Sequence, residues 1–159
     1  MTLEIGQKAP NFLMPIDENK NVSLDDYKGK MLVLYFYPKD DTPGCTKQAC
    51  AFTENLSQFN DLGVDVLGVS KDTIAKHAKF IAKYNLDFPL ASDENSMTCE
   101  DYGVWKEKNM YGRKYMGIER TTFLIDGNGV IQHIWNKVKV LNHIEDVMDV
   151  INNLKEKAA

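Results

Sequence analysis

Cysteine, proline and long apolar runs are all scarce in this chain. Its 159 residues include three cysteines and five prolines. Secreted disulfide scaffolds carry more cysteines, in even number, so that architecture is excluded. No apolar stretch approaches the ~20 residues that cross a bilayer, so no membrane partner is expected. Positive charge does not dominate: 19 Lys+Arg face 23 Asp+Glu, a formal net charge of −4. Sequence-independent nucleic-acid binding through a basic face is therefore excluded. No repeat, low-complexity tract or linker interrupts the chain, so a single domain over 1–159 is expected. Residues 1–10 hold Glu4 and Lys8 but no basic stretch ahead of an apolar block, and no secretory signal is expected. A reducing cytoplasmic setting follows as an expectation. There is no Cys-x-x-Cys, and His77, His133 and His143 stand apart without ligand spacing, so no metal is expected.

What is present reads as an α/β protein. Pro10 and Pro15 flank an extended opening, and the turn cluster Asp17-Glu18-Asn19-Lys20-Asn21 folds it toward Val22-Ser23-Leu24 as a hairpin arm. Met31 to Tyr37 is an unbroken apolar run ended by Pro38, which predicts a strand buried on both faces. A helical pattern of Ala49, Phe52, Leu56 and Phe59 follows and stops at Gly63. Val64–Ser70 is a second buried strand, and Thr73–Tyr84 a second helix. Phe88–Ala91 is a short extended piece, and Met97–Val104 contains a short helix. Thr121–Asp126 and Val130–Trp135 form a hairpin around Asp126-Gly127-Asn128-Gly129, and Leu141–Leu154 is a closing amphipathic helix. The order predicts a three-layer sandwich with a mixed central sheet and helices on its faces.

The chemistry concentrates between Pro38 and Cys50, where a buried strand hands over to a helix, the usual ligand site of open α/β sheets. Thr42 suits the N-cap and Pro43 the first helical position. Cys45 then lies in the first turn, among backbone N–H groups without intrahelical acceptors and at the positive end of the helix dipole. Both favour thiolate over thiol. For a cysteine in general, depression from about 8.5 to about 6 raises the thiolate fraction at pH 7 only about 30-fold. A fast enzyme therefore also needs groups that align a substrate and hold its leaving atom. On a helical wheel Ala49, Phe52, Leu56 and Phe59 fall within about 40° of Cys45, which places its sulfur on the inward stripe. Cys50 lies about 140° round, facing away, with its Cα roughly 8.7 Å from that of Cys45 in an intact helix. A disulfide requires less than ~7 Å, so these two sulfurs can pair only if the helix unwinds. A buried cysteine by itself is more often packing than chemistry. Cys45 stands apart because strand end, cap residue, Pro, Gly and helix start converge on it.

Pro38-x3-Thr42-x2-Cys45 resembles the motif of the peroxiredoxin family. Cys50, five residues after Cys45, is similar to the second cysteine of its atypical two-cysteine subgroup, bacterioferritin comigratory protein or peroxiredoxin Q. The likeness extends to Gly6-x-x-Ala9-Pro10-x-Phe12 and to Arg120-Thr121-Thr122-Phe123-Leu124-Ile125-Asp126. It implies a thioredoxin-like fold and thiol-dependent reduction of hydrogen peroxide and organic hydroperoxides. It further implies Cys45 as peroxidatic nucleophile and Cys50 as resolving cysteine. Thr42 would bond the bound peroxide, Pro38 wall the pocket, and Arg120 stabilise the thiolate and polarise the peroxide. No cofactor is required, thioredoxin or a similar dithiol protein is the implied reductant, and an intramolecular disulfide is compatible with a monomer or a weak dimer. Gln48 stands where many members have Glu, and it is left outside the expected site.

Other residues are read as structural. Cys99 is expected to be spare, although it rivals Cys50 for pairing because sequence distance does not fix spatial distance. The three histidines are expected at the surface, Trp105 and Trp135 in packing roles, and Lys137-Val138-Lys139 at a solvated edge. Asp40 and Asp41 are expected to face water, since a carboxylate aimed at the sulfur would oppose its ionisation. Two other functions remain open from the residues alone: a thiol–disulfide oxidoreductase acting on protein cysteines, and an interaction protein controlled by a Cys45–Cys50 switch.

Overall fold

In the computed structural model, which describes residues 2–158, the chain opens with β1 (Leu13–Asp17) and β2 (Lys20–Ser23). A single 3-10 turn (Leu24–Tyr27) leads to β3 (Met31–Phe36), α1 (Pro43–Glu54), α2 (Leu56–Asp61) and β4 (Val64–Ser70). Then come α3 (Ile74–Tyr84), β5 (Leu90–Ser92), α4 (Thr98–Asp101), β6 (Trp105–Met110) and β7 (Arg113–Ile118). β8 (Thr121–Ile125), β9 (Ile131–Trp135) and α5 (His143–Ala158) close the chain. Met1 and Ala159, the ends of the expected 1–159 domain, lie outside the described residues.

The central sheet has five strands in the order β5-β4-β3-β8-β9. β4 runs parallel to β3 and β5, while β8 is antiparallel to β3 and β9, so the sheet is mixed as expected. β3 is central because Leu32 to Phe36 are all buried, an arrangement that requires cover on both faces. β1 and β2 pair as the predicted hairpin arm.

Two apolar cores flank the sheet. One gathers Tyr35, Cys45, Ala49 and Phe52 with Phe59, Phe80, Val147 and Ile151, and so packs α1, α2, α3 and α5 on a single face. The other packs Met14 and Val22 of the arm with Cys99 and Tyr102 against Leu34, Phe36 and Phe123. Long helices therefore cover one face only, and the other is covered by the arm and a single helical turn. The reason is handedness. The chain advances from β3 to β4 to β5 in one direction, and right-handed crossovers then put α1 and α3 on the same side.

Local chemistry fixes several boundaries. Thr73 Oγ1 accepts from the Lys76 N–H at 3.1 Å and starts α3, and Asn85 ends it in the left-handed region (φ 52°). The predicted helix across Cys45–Phe59 is in fact two. Asn55 turns its amide onto the Ala51 carbonyl (2.8 Å), competing with the backbone ladder, and α2 restarts from there. Gly68 lies opposite Tyr35, and a Cβ there would come within 2.9 Å of that ring, so only glycine admits the aromatic beside it. A second hairpin, β6–β7, was not expected. Tyr111 and Gly112 both take positive φ (53° and 79°), a two-residue turn that matches strand twist.

Candidate active site

β3 delivers the chain to the top of the sheet, where the Tyr37 N–H still bonds the Val69 carbonyl at 3.1 Å before exposed Pro38 ends the ladder. Asp41 takes a left-handed conformation (φ 57°) and turns the chain so that Thr42 can be the extended N-cap (φ −96°, ψ 156°) with Pro43 first in the helix. Thr46 N–H makes the first helical bond, to the Thr42 carbonyl at 2.8 Å. The amides of Gly44 and Cys45 thus precede the hydrogen-bonded helix and have no intrahelical acceptor. The Thr42 side chain does not cap. Its hydroxyl donates to the Lys39 carbonyl at 3.0 Å, leaving its oxygen lone pairs to accept from another group.

Cys45 Sγ lies in this first turn, with the residue 2% exposed. Arg120, between β7 and β8, reaches it: Nη2 donates to Sγ at 3.3 Å, and Nη1 donates to Gln48 Oε1 at 2.6 Å. A guanidinium N–H and the open amides of a helix N-terminus thus converge on the sulfur as hydrogen-bond donors. Gln48 is buried and braces the guanidinium through one fork while the other meets the thiol. Its role was missed from sequence, although it sits three residues after Cys45 on the same helical face. An amide oxygen suffices to receive the Arg120 hydrogen, so the exchange of Glu for Gln keeps the brace. Gly44 makes room for it, because a Cβ there would stand 3.3 Å from Nη2.

All three cysteines are free thiols. Cys50 is half-buried at the margin of the helical-face core rather than turned to open solvent, and burial together with the Glu54 carboxylate pushes its thiol up. Cys99 belongs to the core on the opposite sheet face from Cys45. Its N–H bonds Asp93 at 2.7 Å, and burial followed by the Asp93 charge pushes its thiol well above the ordinary range. The sheet itself separates Cys99 from Cys45.

Several polar residues expected at the surface are inside. Asp41 is outside, bonded by Lys83 Nζ (2.8 Å) and the Tyr84 hydroxyl (2.7 Å). Asp40, its neighbour, is buried against Tyr37 and His77. His77 and His143 are buried as well, and only His133 is half-buried. Histidine has an apolar ring that packs well once its nitrogens find partners, a condition that spacing along the chain does not reveal. His143 Nε2 meets Thr122 Oγ1 at 2.9 Å, and its ring stands edge-on to Phe52 and Trp135. Burial, with a further push from the Arg120 charge, lowers its pKa from 6.5 to about 4 despite the opposing pull of Asp146. The unfolded chain therefore takes up this proton first as pH falls. Stability is full above about pH 7.5 and declines from about 6.5 down to about 4. The loss expected between pH 7 and pH 5 is about 2 kcal/mol. Urea unfolding at those two pH values checks this, and an equal loss in a His143→Gln variant would overturn the assignment.

Among the described residues no group of three or more His, Cys, Asp or Glu is placed to hold a metal ion, and no helix is long and apolar enough to cross a membrane. Of the residues singled out from sequence, Cys45 and Arg120 are in contact, Thr42 heads the same helix, and Pro38 closes the preceding strand. Cys50 lies further along α1 as a separate thiol. Such a site can present an anionic sulfur to a small oxidant and surround the developing negative charge with N–H donors.

Known proteins are similar to this chain over most of its length. The AhpC/TSA family model matches residues 5–134. Peroxiredoxin Bcp of Bacillus subtilis is 48% identical over 157 residues, covering 99% of this chain and 100% of the relative. Peroxiredoxin Bcp of Escherichia coli is 46% identical over 156 residues, covering 98% of each. A cysteine-to-serine variant of Xylella fastidiosa PrxQ superposes with a TM-score of 0.89 at 39% identity, over 100% of this chain and 99% of that one. The bacterioferritin comigratory protein of Xanthomonas campestris, described with alkyl peroxide reduction activity, gives a TM-score of 0.84 at 39% identity over 89% and 90% of the two chains. With a sulfur–guanidinium contact at the head of α1 and likeness along nearly its whole length, the chain belongs to the AhpC/TSA family and is a peroxiredoxin, a thiol-dependent peroxidase of thioredoxin-like fold.

Proposed function

We propose that Cys45 is the peroxidatic nucleophile of a cytoplasmic peroxidase acting on hydrogen peroxide and organic hydroperoxides, and that Cys50 resolves it. The observation that carries this reading is the 3.3 Å contact from Arg120 Nη2 to Cys45 Sγ, made at the start of a helix. The Cys45 thiolate attacks one peroxide oxygen, the O–O bond breaks, and the other oxygen leaves with a proton as water or alcohol. Sulfur loses two electrons and becomes a sulfenic acid. Arg120 and the free amides of the first turn hold the negative charge as the O–O bond lengthens. Thr42, whose hydrogen is committed to Lys39, accepts from the peroxide O–H. Pro38 stands at the rim and limits solvent access. No cofactor takes part.

Cys50 then attacks the sulfenic sulfur, water departs, and a disulfide forms. In an intact helix the two Cα atoms are roughly 8.7 Å apart, so α1 must unwind for this step. An external dithiol, thioredoxin or a similar protein, reduces the disulfide by exchange. A monomer suffices for the cycle, since both cysteines come from one chain. The functional test is a coupled assay with thioredoxin and its reductase across several peroxides. Peroxide consumption in step with thioredoxin oxidation is expected. Reduction of protein disulfides without peroxide would favour a thiol–disulfide oxidoreductase instead.

The pairing has its own test. One equivalent of peroxide is expected to yield a Cys45–Cys50 bridge by peptide mapping, with a modest loss of helical circular dichroism that Cys50→Ser prevents. A Cys45–Cys99 or interchain bridge would overturn the pairing. Unchanged helicity on forming the mapped bridge would overturn the unwinding.

A further inference from the structure

The loop between β3 and α1 rests on a buried polar cluster that the reaction above does not use. Asp40 sits midway between Pro38 and Thr42 with 9% exposure. Its Oδ1 accepts from the Tyr37 hydroxyl at 2.5 Å, and its Oδ2 lies 2.6 Å from His77 Nδ1. Its backbone N–H donates to Asp72 Oδ2 at 2.7 Å. His77, on α3, is fully buried, and its Nε2 lies 3.0 Å from the Ala91 carbonyl oxygen of β5. A carbonyl oxygen only accepts, so Nε2 carries a hydrogen. Nδ1 faces the Asp40 carboxylate oxygen at hydrogen-bond distance. With a partner at each nitrogen, the ring is locked in rotation.

A buried pair of this kind is a poor source of stability, because apolar residues of like volume commonly do as well or better. Aromatic company is at hand in Tyr37 and Phe80, whose ring centroids lie 6.4 Å apart at a tilt of 51°. What the pair supplies beyond packing is direction. It ties the middle of the loop to α3 and, through Ala91, to β5, while Lys83 and Tyr84 grip the adjacent Asp41 from the same helix. The segment so fixed carries Thr42 and leads into the amides of Gly44 and Cys45.

We propose that His77 is a positioning residue of the peroxidase centre: through Asp40 it fixes the loop so that Thr42 and the first-turn amides meet a peroxide in line with the Cys45 sulfur. This rests on Cys45 being the nucleophile. The role is one of alignment, and a misplacement near 1 Å at a reacting centre costs on the order of 100-fold in rate.

The test compares two reactions of the full-length reduced protein. Alkylation by iodoacetamide needs only a reachable thiolate, whereas hydrogen peroxide reduction also needs aligned donors. His77→Leu offers Asp40 no donor. His77→Gln offers both donor hydrogens from a single amide nitrogen and cannot serve Asp40 and Ala91 with the geometry of the ring. For His77→Leu the second-order rate with hydrogen peroxide is expected to fall about 30- to 100-fold, with alkylation within about threefold of wild type. His77→Gln is expected to fall between the two. Asp40→Asn, which keeps shape but not charge, is expected to lower the peroxide-to-alkylation ratio as well, and with His77→Gln it serves if His77→Leu does not fold. Equal loss of both reactions would assign His77 to the fold alone, and loss of neither would assign it no role. Failure of the wild-type sulfur to outpace free cysteine with peroxide is a separate result, against the nucleophile assignment itself.

Discussion

Replacement of Cys45 by serine is expected to lower hydroperoxide turnover by at least about 10⁴-fold, the scale on which loss of a nucleophile is felt. A serine hydroxyl can still accept from Arg120, so the fold and the guanidinium are expected to stay in place. The chemistry is lost for two reasons. An un-ionised hydroxyl is a weak nucleophile at neutral pH, and oxygen has no counterpart to the sulfenic acid and disulfide that sulfur forms. Peroxide consumption coupled to thioredoxin oxidation reads this directly. Cys50→Ser separates the two steps. It is expected to consume about one equivalent of peroxide per chain and then stall, because the nucleophile is intact and only resolution is missing. Cys99→Ser is expected to turn over at close to the wild-type rate, since Cys99 lies across the sheet in the other core. Appreciable turnover by Cys45→Ser would remove the basis of the proposed mechanism.

Arg120→Ala is expected to slow the reaction of the reduced enzyme with peroxide by about 10²- to 10³-fold, the range for removing one preorganised donor to developing charge. The guanidinium acts through two prongs at once, Nη2 to the Cys45 sulfur and Nη1 to Gln48 Oε1. Lysine carries the same charge as a single point on a flexible stem and cannot hold both partners in the fork geometry. Arg120→Lys is therefore expected to recover little. Stopped-flow measurement of sulfenic acid formation, made before resolution begins, isolates the step. A near-wild-type rate in Arg120→Lys would show that charge alone suffices and that the brace by Gln48 is idle.

How much of this was legible in the sequence depends on how far each feature reaches along the chain. The strand at Met31–Phe36, the helix start at Thr42-Pro43 and the Cys45 position inside its first turn all follow from neighbours a few residues apart. So does the helix expected over Thr73–Tyr84, which the structure begins one residue later at Ile74. The β6–β7 hairpin was missed because its strands are charged and mostly exposed, which leaves no alternation of apolar residues, and only Tyr111-Gly112 marks the turn. The break at Asn55 was missed because the apolar period continues through it, while one side chain takes a backbone carbonyl.

By itself the sequence determined the buried central strand, the placement of one cysteine among unbonded amides, and a slightly acidic charge balance. These depend on steric preference, hydrophobic period and composition, which act locally or in sum. From the residues alone, and apart from the family resemblance that named Arg120, only tertiary structure decided what meets that cysteine: Arg120, 75 positions away, on its sulfur, with nearby Gln48 bracing the guanidinium. It also decided that Cys99 is walled off by the sheet, and that Asp40 and His77 are buried together rather than solvated. Hydrogen bonds and desolvation act over a few ångströms in space, and separation along the chain says nothing about such distances until the crossovers have set which elements share a face.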